Sequence, residues 1–415
     1  MFIQRSKITL ATSFPVFPPT TIKSCRIFHL YRHLAQKFDI EIISLTESNQ
    51  PHFQGNIAAG LREIRIPKSA QHQAAEVDLT SKLGNSMANI TLLKLYSLTP
   101  NYLQALKKSA KNADILLLYQ PYLFPAVREV SNKPIWYEAS GIEAQLAKQF
   151  LPENDLGHEF WELIHQTEAQ CCQTSKLIII ADEHNKDELN RIYQVDPKQI
   201  IHFPNGINSE TINYVSYEQR LINKEKLGFK ETFLAIFSAT GHPHNTDEAR
   251  LILNIASKLP KIKFLILGNA GITFDPRLTP ANVGFIRSLD SKTKSLILGL
   301  ADVALNPAKA ISDTLPTMLE YFCAGIPVIS THLGAKSLAY NNQIDFFVDD
   351  IWRFPEMLVM VKKENLERQK NKSQKARKYV EENFEWSKIA EELSQKITIF
   401  QSFERSKYKQ LTKVS

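Results

Sequence analysis

Residues 312–320, Ser-Asp-Thr-Leu-Pro-Thr-Met-Leu-Glu, combine a helix start with one carboxylate set to face it. Leu315, Met318, Leu319 and Phe322 recur at helical spacing, so one face of this short helix is apolar. Pro316 suits a first turn and Thr314 an N-cap. Gly325 and Pro327 mark the stop, before the β-branched run Val328-Ile329-Ser330-Thr331. Ser312, Asp313, Thr314 and Leu315 therefore lie around free first-turn amides, an anion site suited to a phosphate or pyrophosphate. Glu320 falls off the apolar stripe, on the face of Pro316 and Thr317, and helical side chains lean toward the N-terminus. A carboxylate beside a pyrophosphate repels it, whereas one accepting hydrogen bonds from an adjoining ribose diol does not. The pattern suits a nucleoside diphosphate; a merely solvated helix glutamate is the plainer alternative.

Other chemistry-bearing residues carry less. His158, Glu162 and His165 share roughly one helix face but lack the His-Glu-x-x-His spacing of a zinc protease. His242 and His244 form a His-x-His pair in a Pro-containing loop, and the Gly268–Gly271 stretch, Gly-Asn-Ala-Gly, reads as a turn after a strand and not as a Walker loop. Cys25, Cys171, Cys172 and Cys323 show neither metal-ligand spacing nor a disulfide framework, and Cys171-Cys172 reads as helix packing. No metal site is expected.

The elements that must position these residues alternate along the chain. "KITLAT" (7–12), "IEIISL" (40–45), "DILLLY" (114–119), "PIWYEA" (134–139) and "KLIIIA" (176–181) read as strands, with a helix over 25–38 after the first. The pattern restarts with "TFLAIFSA" (232–239), a helix over 245–258, "IKFLILG" (262–268), "NVGFI" (282–286) and "DVALNP" (302–307). Alternation of this kind predicts an α/β protein with doubly wound parallel sheets. At 415 residues there is chain for two such domains, and Pro204 with Asn205-Gly206 supplies the break. The last segment, from Trp386 onward, has helical spacing of Trp386, Ile389, Leu393 and Ile397. Ligands of such sheets bind beyond the carboxyl ends of the strands.

Charge and composition bound the partners. The 43% hydrophobic and 22% charged content is that of an ordinary globular protein. No apolar run approaches the ~18 residues of a membrane helix, and the N-terminus lacks a signal-peptide core, so a cytoplasmic location is expected. The net charge of +7 favours anionic partners. Part of the excess lies in residues 79–113, with Lys82, Lys94, Lys107, Lys108 and Lys111 and no acid. Solvated helix faces account for these lysines; peripheral contact of Lys107, Lys108 and Lys111 with an anionic membrane is the sharper alternative. Arginine–aromatic interleaving is missing, so nucleic acid is not an expected partner.

The stretch "ISDTLPTMLEYFCAGIPVISTHLGAKSL" (311–338) resembles the donor-binding signature of family 4 retaining glycosyltransferases of GT-B fold. "FPVFPPTTIKSCRIFHLYRHLAQKFDIEIISL", "PIWYEASGIEAQL", "IIHFPNGIN", "FSATGHPHNTDEARLI" and "NFEWSKIAEEL" follow that family's order, so the resemblance spans roughly residues 7 to 398. It implies two Rossmann-like doubly wound domains facing across a cleft: an acceptor-binding domain over 1–204 and a nucleotide-sugar donor domain over 205–385. A helical tail over 386–415 would cross back toward the first. Carried over by position, Glu320 matches the glutamate that binds the nucleotide ribose. Thr314 and Leu315 match the loop whose amides hold the donor phosphates, and Ser312, beside Asp313, stands where many members have a glutamate contacting the transferred sugar. Gly241 and His242 occupy the first loop of the donor domain, where relatives often carry a basic pair for the diphosphate; Arg287 is a candidate substitute. Ser140 takes the place of a common active-site histidine, flanked by Glu138 and Glu143, and Thr21-Ile22 replaces a glycine pair in a loop near donor and acceptor.

The implied activity moves a sugar from a nucleotide diphosphate sugar to an acceptor hydroxyl with retention of configuration, as in hexosyltransferases of polysaccharide biosynthesis. The acceptor would be a glycan, a lipid-linked sugar or a small molecule, and neither metal nor other cofactor is required. Two alternatives stand beside it. One is a catalytically weakened GT-B protein that binds a nucleotide or glycan as a partner subunit; the other is a nucleotide-sugar epimerase, which would need a richer set of acid–base residues.

Overall fold

The computed structural model describes residues 5–84, 88–238, 243–269, 274–287, 290–309, 315–338 and 347–411. The chain forms two compact units, Met1–Pro204 with Ile389–Ser415, and Asn205–Lys388.

The first unit is built on an eight-stranded sheet ordered β3-β4-β2-β1-β5-β6-β7-β8. Its strands are β1 (Lys7–Thr12), β2 (Asp39–Thr46), β3 (Phe53–Ala58), β4 (Leu61–Pro67), β5 (Ile115–Tyr119), β6 (Ile135–Ala139), β7 (Ser175–Ile180) and β8 (Ile200–His202). The central strands β5 and β6 are buried at every position, as aliphatic runs covered on both faces must be. All pairs are parallel except β3 with β4, a departure from the all-parallel expectation. Only Ala59 and Gly60 separate those two strands, and so short a connection can only return antiparallel. Gly60 has φ +73°, and a Cβ there would fall 2.5 Å from the Ala35 carbonyl oxygen. Successive strands leave β1 on one side and β5 on the other, so the chain reverses between these two. That switch point is where a doubly wound sheet opens a crevice.

The first helix runs Ile22–Leu34, starting three residues before and ending four residues short of the expected 25–38. Thr21 and Ser24 form a reciprocal capping box that nucleates the earlier turn. The long helix Trp386–Leu411 completes this unit. Glu391 pairs with Lys37 at 2.7 Å, Phe400 meets Trp136 edge to face at 5.8 Å, and Lys396 lies over the Phe203 ring. The first three residues of that helix belong with the second unit, because Ile207 and Trp386 are joined through the backbone at 3.2 Å.

The second unit has a six-stranded sheet ordered β11-β10-β9-β12-β13-β14, parallel throughout. These strands are β9 (Phe233–Ser238), β10 (Ile262–Leu267), β11 (Val283–Ile286), β12 (Val303–Asn306), β13 (Val328–Ser330) and β14 (Phe347–Val348). Two buried clusters cover its faces, one containing Met318, Leu319, Phe322 and Val380, the other Ala249, Ile252, Phe354 and Leu358. The reversal lies between β9 and β12, and the helix after β12 is Leu315–Cys323. His244, expected in a loop, lies in the helix Pro243–Lys258, which Pro243 opens at the position where a missing N–H costs nothing. Among the described residues no helix is long and apolar enough to cross a membrane.

Candidate functional site

The Leu315–Cys323 helix is fixed from its carboxyl end. Gly325, at φ +75°, forms a Schellman turn: its N–H donates to the Phe322 carbonyl at 3.0 Å and that of Ile326 to Tyr321 at 2.9 Å. A Cβ at Gly325 would fall 2.7 Å from the Tyr214 ring. Two guanidinium groups close on the last carbonyls. Arg377 donates to Cys323 at 2.9 Å and to Ile212 at 2.8 Å, and the buried Arg220 donates to Ala324 and Gly325 at 3.3 Å each. Cations here complement the helix dipole. The buried Tyr321 hydroxyl accepts the Ser238 N–H at 3.0 Å, tying the helix to the end of β9. Met318 receives the Asn306 amide of β12 on its sulfur at 2.9 Å, and the same amide donates to Ser330 at 3.0 Å. Packing and polar contacts thus hold the helix with its N-terminus at the carboxyl edge of the sheet.

Every residue of this helix is buried except Pro316, Thr317 and Glu320. Glu320 lies on their face and receives Lys294, from the helix Ser291–Leu298, at 2.6 Å. The side chains of Glu320 and Lys294 are 27% and 38% exposed, so the pair is open to a ligand. Leu315 is buried in the core beneath, and Arg287 is exposed just past β11. Ser312, Asp313, Thr314, Gly241 and His242 lie outside the described residues.

In the first unit, Thr21 is the N-cap of Ile22–Leu34, and Ile22 is an exposed apolar residue of its first turn. The loop before it is gripped by Glu63, a wholly buried carboxylate of β4. Glu63 accepts the Val16 N–H at 2.8 Å, the Phe17 N–H at 3.3 Å and the Ser44 hydroxyl at 2.7 Å, and pairs with Arg65 at 2.8 Å.

Ser140 directly follows β6, half-buried, above a buried polar network. Its hydroxyl donates to Glu143 Oε1 at 2.8 Å. Gln120 Nε2 donates to the same oxygen at 2.8 Å and to Ser140 Oγ at 3.2 Å, while the Tyr122 hydroxyl donates to Glu143 Oε2 at 2.5 Å. Behind Glu143 lies Glu168, from the helix Asp155–Thr174. It accepts the N–H groups of Glu143 (2.9 Å) and Ala144 (3.0 Å) and the hydroxyls of Tyr137 (3.1 Å) and Tyr193 (2.7 Å). Burial, reinforced by the neighbouring Glu143, pushes the Glu168 carboxyl up to about 7. Gln120 carries two costs. Its φ of +62° and ψ of +158° lie in a region used almost only by glycine, worth of order 1–3 kcal/mol. Its amide oxygen is buried and accepts no hydrogen bond, at about 1–3 kcal/mol more.

Glu138 corrects the sequence reading. Expected beside Ser140 as a catalytic residue, it is fully buried in β6 and turned to the first helix, Ile22–Leu34. It pairs with Arg26 at 2.6 Å and accepts the Tyr31 hydroxyl, and Arg26 also donates to the carbonyls of Phe203 (3.1 Å) and Pro204 (3.2 Å). This is a structural ion pair joining the first helix, β6 and the end of the first segment. Glu143, in contrast, reaches Ser140 directly. His158 and His165 stack on either side of Trp161, at 6.1 and 5.4 Å, and among the described residues no three metal-type ligands converge. Cys171 and Cys172 are buried in helix packing, and burial raises both thiols above their ordinary range.

Gln120, Glu168 and Lys294 were missed by sequence reasoning. Gln120 had a signal, since it directly follows a buried strand at the ligand-binding edge. Glu168 and Lys294 had none, being ordinary polar residues of helices until packing brings them to Glu143 and Glu320.

No protein-family model matches the chain, and no curated protein does. Solved structures do. Sucrose-phosphate synthase from Thermosynechococcus elongatus aligns at a TM-score of 0.70 with 15% identity, covering 99% of this chain and 100% of that one. The catalytic domain of starch synthase IV from Arabidopsis thaliana, bound to ADP and acarbose, aligns at 0.66 with 12% identity, over 96% and 99%. Anabaena HepE in complex with UDP and glucose aligns at 0.64 with 9% identity, over 95% and 100%. Likeness of this extent at such low identity is likeness of architecture: the chain has the GT-B fold.

Proposed function

We propose that this protein transfers a sugar from a nucleoside diphosphate sugar to an acceptor hydroxyl, with retention of anomeric configuration. One observation carries the reading: Glu320, an open carboxylate on an otherwise buried helix whose N-terminus is locked at the carboxyl edge of a GT-B donor-type sheet. On this reading the ribose diol donates to Glu320, and the amides leading into Leu315 hold the diphosphate, with Ser312, Asp313 and Thr314 beside it. The complexes of HepE with UDP and of starch synthase IV with ADP support a nucleoside diphosphate as the ligand class.

The chemistry then needs little from side chains. The bond from the anomeric carbon to the diphosphate breaks, and the helix terminus stabilises the charge that develops on the leaving oxygen. The acceptor oxygen bonds to the same face of that carbon, and its proton passes to the departing phosphate. No protein nucleophile takes part, so serine in place of imidazole at position 140 is compatible with turnover. A metal is not assigned to the diphosphate, and activity should persist in a chelator. Exposed Lys107, Lys108 and Lys111 on the helix Pro100–Asn112 would favour an acceptor carried on an anionic lipid surface.

The test is a thermal-shift panel of UDP, ADP, GDP and their sugars, followed by single-turnover transfer with any hit. Binding lost in Glu320→Gln, with transfer by the parent, is the expected result; no nucleotide binding by the parent overturns the reading. Ile22, exposed at a position where the family resemblance implies glycine, favours a second reading as a nucleotide-binding partner subunit. Tight donor binding with no transfer to any of a broad acceptor set would select it.

A further inference from the structure

Lys294 stands on the side of its helix that packs, not on the side that faces water. The helix Ser291–Leu298 is capped by Asp290, which accepts the Thr293 N–H at 2.6 Å. Ile297 and Leu298, three and four residues after Lys294, are buried in the cluster that holds Met318 and Leu319 of the helix Leu315–Cys323. Helical spacing therefore puts Lys294 on the packed side, while Lys292 and Leu296 are exposed. From there it donates to Glu320 Oε1 at 2.6 Å, with both side chains still open to solvent. An ion pair this exposed adds little to the fold, so stability does not account for a lysine in that place.

We infer that Lys294 is the second half of the ribose site. Beside the accepting Glu320 it sets a hydrogen-bond donor, so that the protein takes a ribonucleoside diphosphate sugar and refuses its 2′-deoxyribonucleotide counterpart. The inference rests on the sugar-transfer reading, in which Glu320 receives the ribose, and deepens it by naming the class of nucleotide.

A lysine ammonium has three hydrogens and no lone pair, whereas a carboxylate has about four lone-pair sites and no hydrogen. The pair spends one of each on itself. Among the described residues no other partner meets either group, which leaves N–H donors side by side with accepting oxygen. A carboxylate alone needs only a hydroxyl that donates, and the 3′-hydroxyl of a deoxyribose supplies one. Two unlike groups ask for more. One hydroxyl donates to Glu320 while its neighbour accepts from Lys294, which takes the adjacent pair of a ribose. A 2′-deoxyribose has a hydroxyl for one of the two and turns a C–H toward the other. Sites built to bond a hydroxyl reject the analogue that lacks it, because their own polar groups then go unpaired. Lys294 also balances the charge of Glu320, which would otherwise stand uncompensated near a diphosphate.

The experiment is calorimetry on the full chain with UDP, ADP and GDP and with the 2′-deoxy form of each. At least one ribonucleotide should bind, at least tenfold tighter than its deoxy form. Lys294→Met should cut that ratio threefold or more, by weakening the ribonucleotide more than the deoxynucleotide. The cut should be the same at low and at high salt, because a general attraction for phosphate would act on both forms and fade with salt. The melting temperature of Lys294→Met should match that of the parent. No preference for the ribonucleotide in the parent, a ratio unchanged in Lys294→Met, or a clearly lowered melting temperature would each overturn the inference and leave sugar transfer standing. A parent that binds none of the six nucleotides would overturn the transfer reading and this inference with it.

Discussion

The Leu315–Cys323 helix of the second unit starts, and the Ser140 loop of the first lies, at the carboxyl ends of parallel strands, yet they are held in opposite ways. The helix is fixed largely through backbone: a Schellman turn, carbonyls capped by Arg377 and Arg220, and an apolar stripe in the core. The Ser140 loop is fixed through buried side chains, two carboxylates and three tyrosines drawn from β6, the turn after β5 and three helices. The first arrangement tolerates titration because few of its bonds depend on protonation. The second concentrates charge where water is absent, so its geometry is tied to pH and to each partner being present.

The comparison yields four tests, in order of expected effect. Arg26→Met leaves Glu138 buried without its guanidinium, and removing one partner of a buried pair costs about 3–5 kcal/mol. Denaturant unfolding should show that loss, and a change below about 1 kcal/mol would remove the claim that this pair braces the first unit.

Next is Glu168. Its folded value is raised, from an ordinary 4.5 to about 7, so the folded state holds a proton that the unfolded state releases. Its contribution to stability is therefore full below about 4.5 and lost as pH rises through about 7. The parent should be more stable at pH 5 than at pH 8 by on the order of 2–3 kcal/mol relative to Glu168→Gln, whose profile should be flatter across that window. Parallel profiles for the two proteins would contradict the buried-acid account.

Glu320→Gln should weaken nucleotide binding by roughly 1.5–3 kcal/mol by calorimetry, since it loses hydrogen bonds to a charged acceptor. The fold should hardly notice, as the side chain is open to solvent. The smallest effect should be Lys294→Met. A pair this exposed contributes about 0–1 kcal/mol to stability, so the melting temperature should barely change. A large stability loss in Lys294→Met would mean that Glu320 serves the fold, and would blur the contrast between the two regions.

Much of this architecture was legible in the chain. Aliphatic runs bounded by turn residues located β1, β2, β5, β6, β7 and β9 to β13 within a residue or two, because a strand covered on both faces has no choice but to be apolar. The apolar spacing of Leu315, Met318, Leu319 and Phe322, with Gly325 as the stop, located the helix Leu315–Cys323 and left Glu320 on its open face. These features are local, governed by spacings of two to seven residues. What the sequence could not supply was the pairing of distant side chains. Glu138 stands two residues from Ser140, yet belongs to a buried pair with Arg26. Glu143, three residues on in the other direction, is the one that meets the serine. Lys294 reaches Glu320 across 26 positions, and Glu168 reaches the Glu143 N–H across 25. Nor does the string of letters mark Gln120 as left-handed, since nothing in its type asks for that backbone. Propensity and periodicity act along the chain and so are written in it; desolvation and charge pairing act through space, and only the folded arrangement of strands and helices decides which buried groups must satisfy one another.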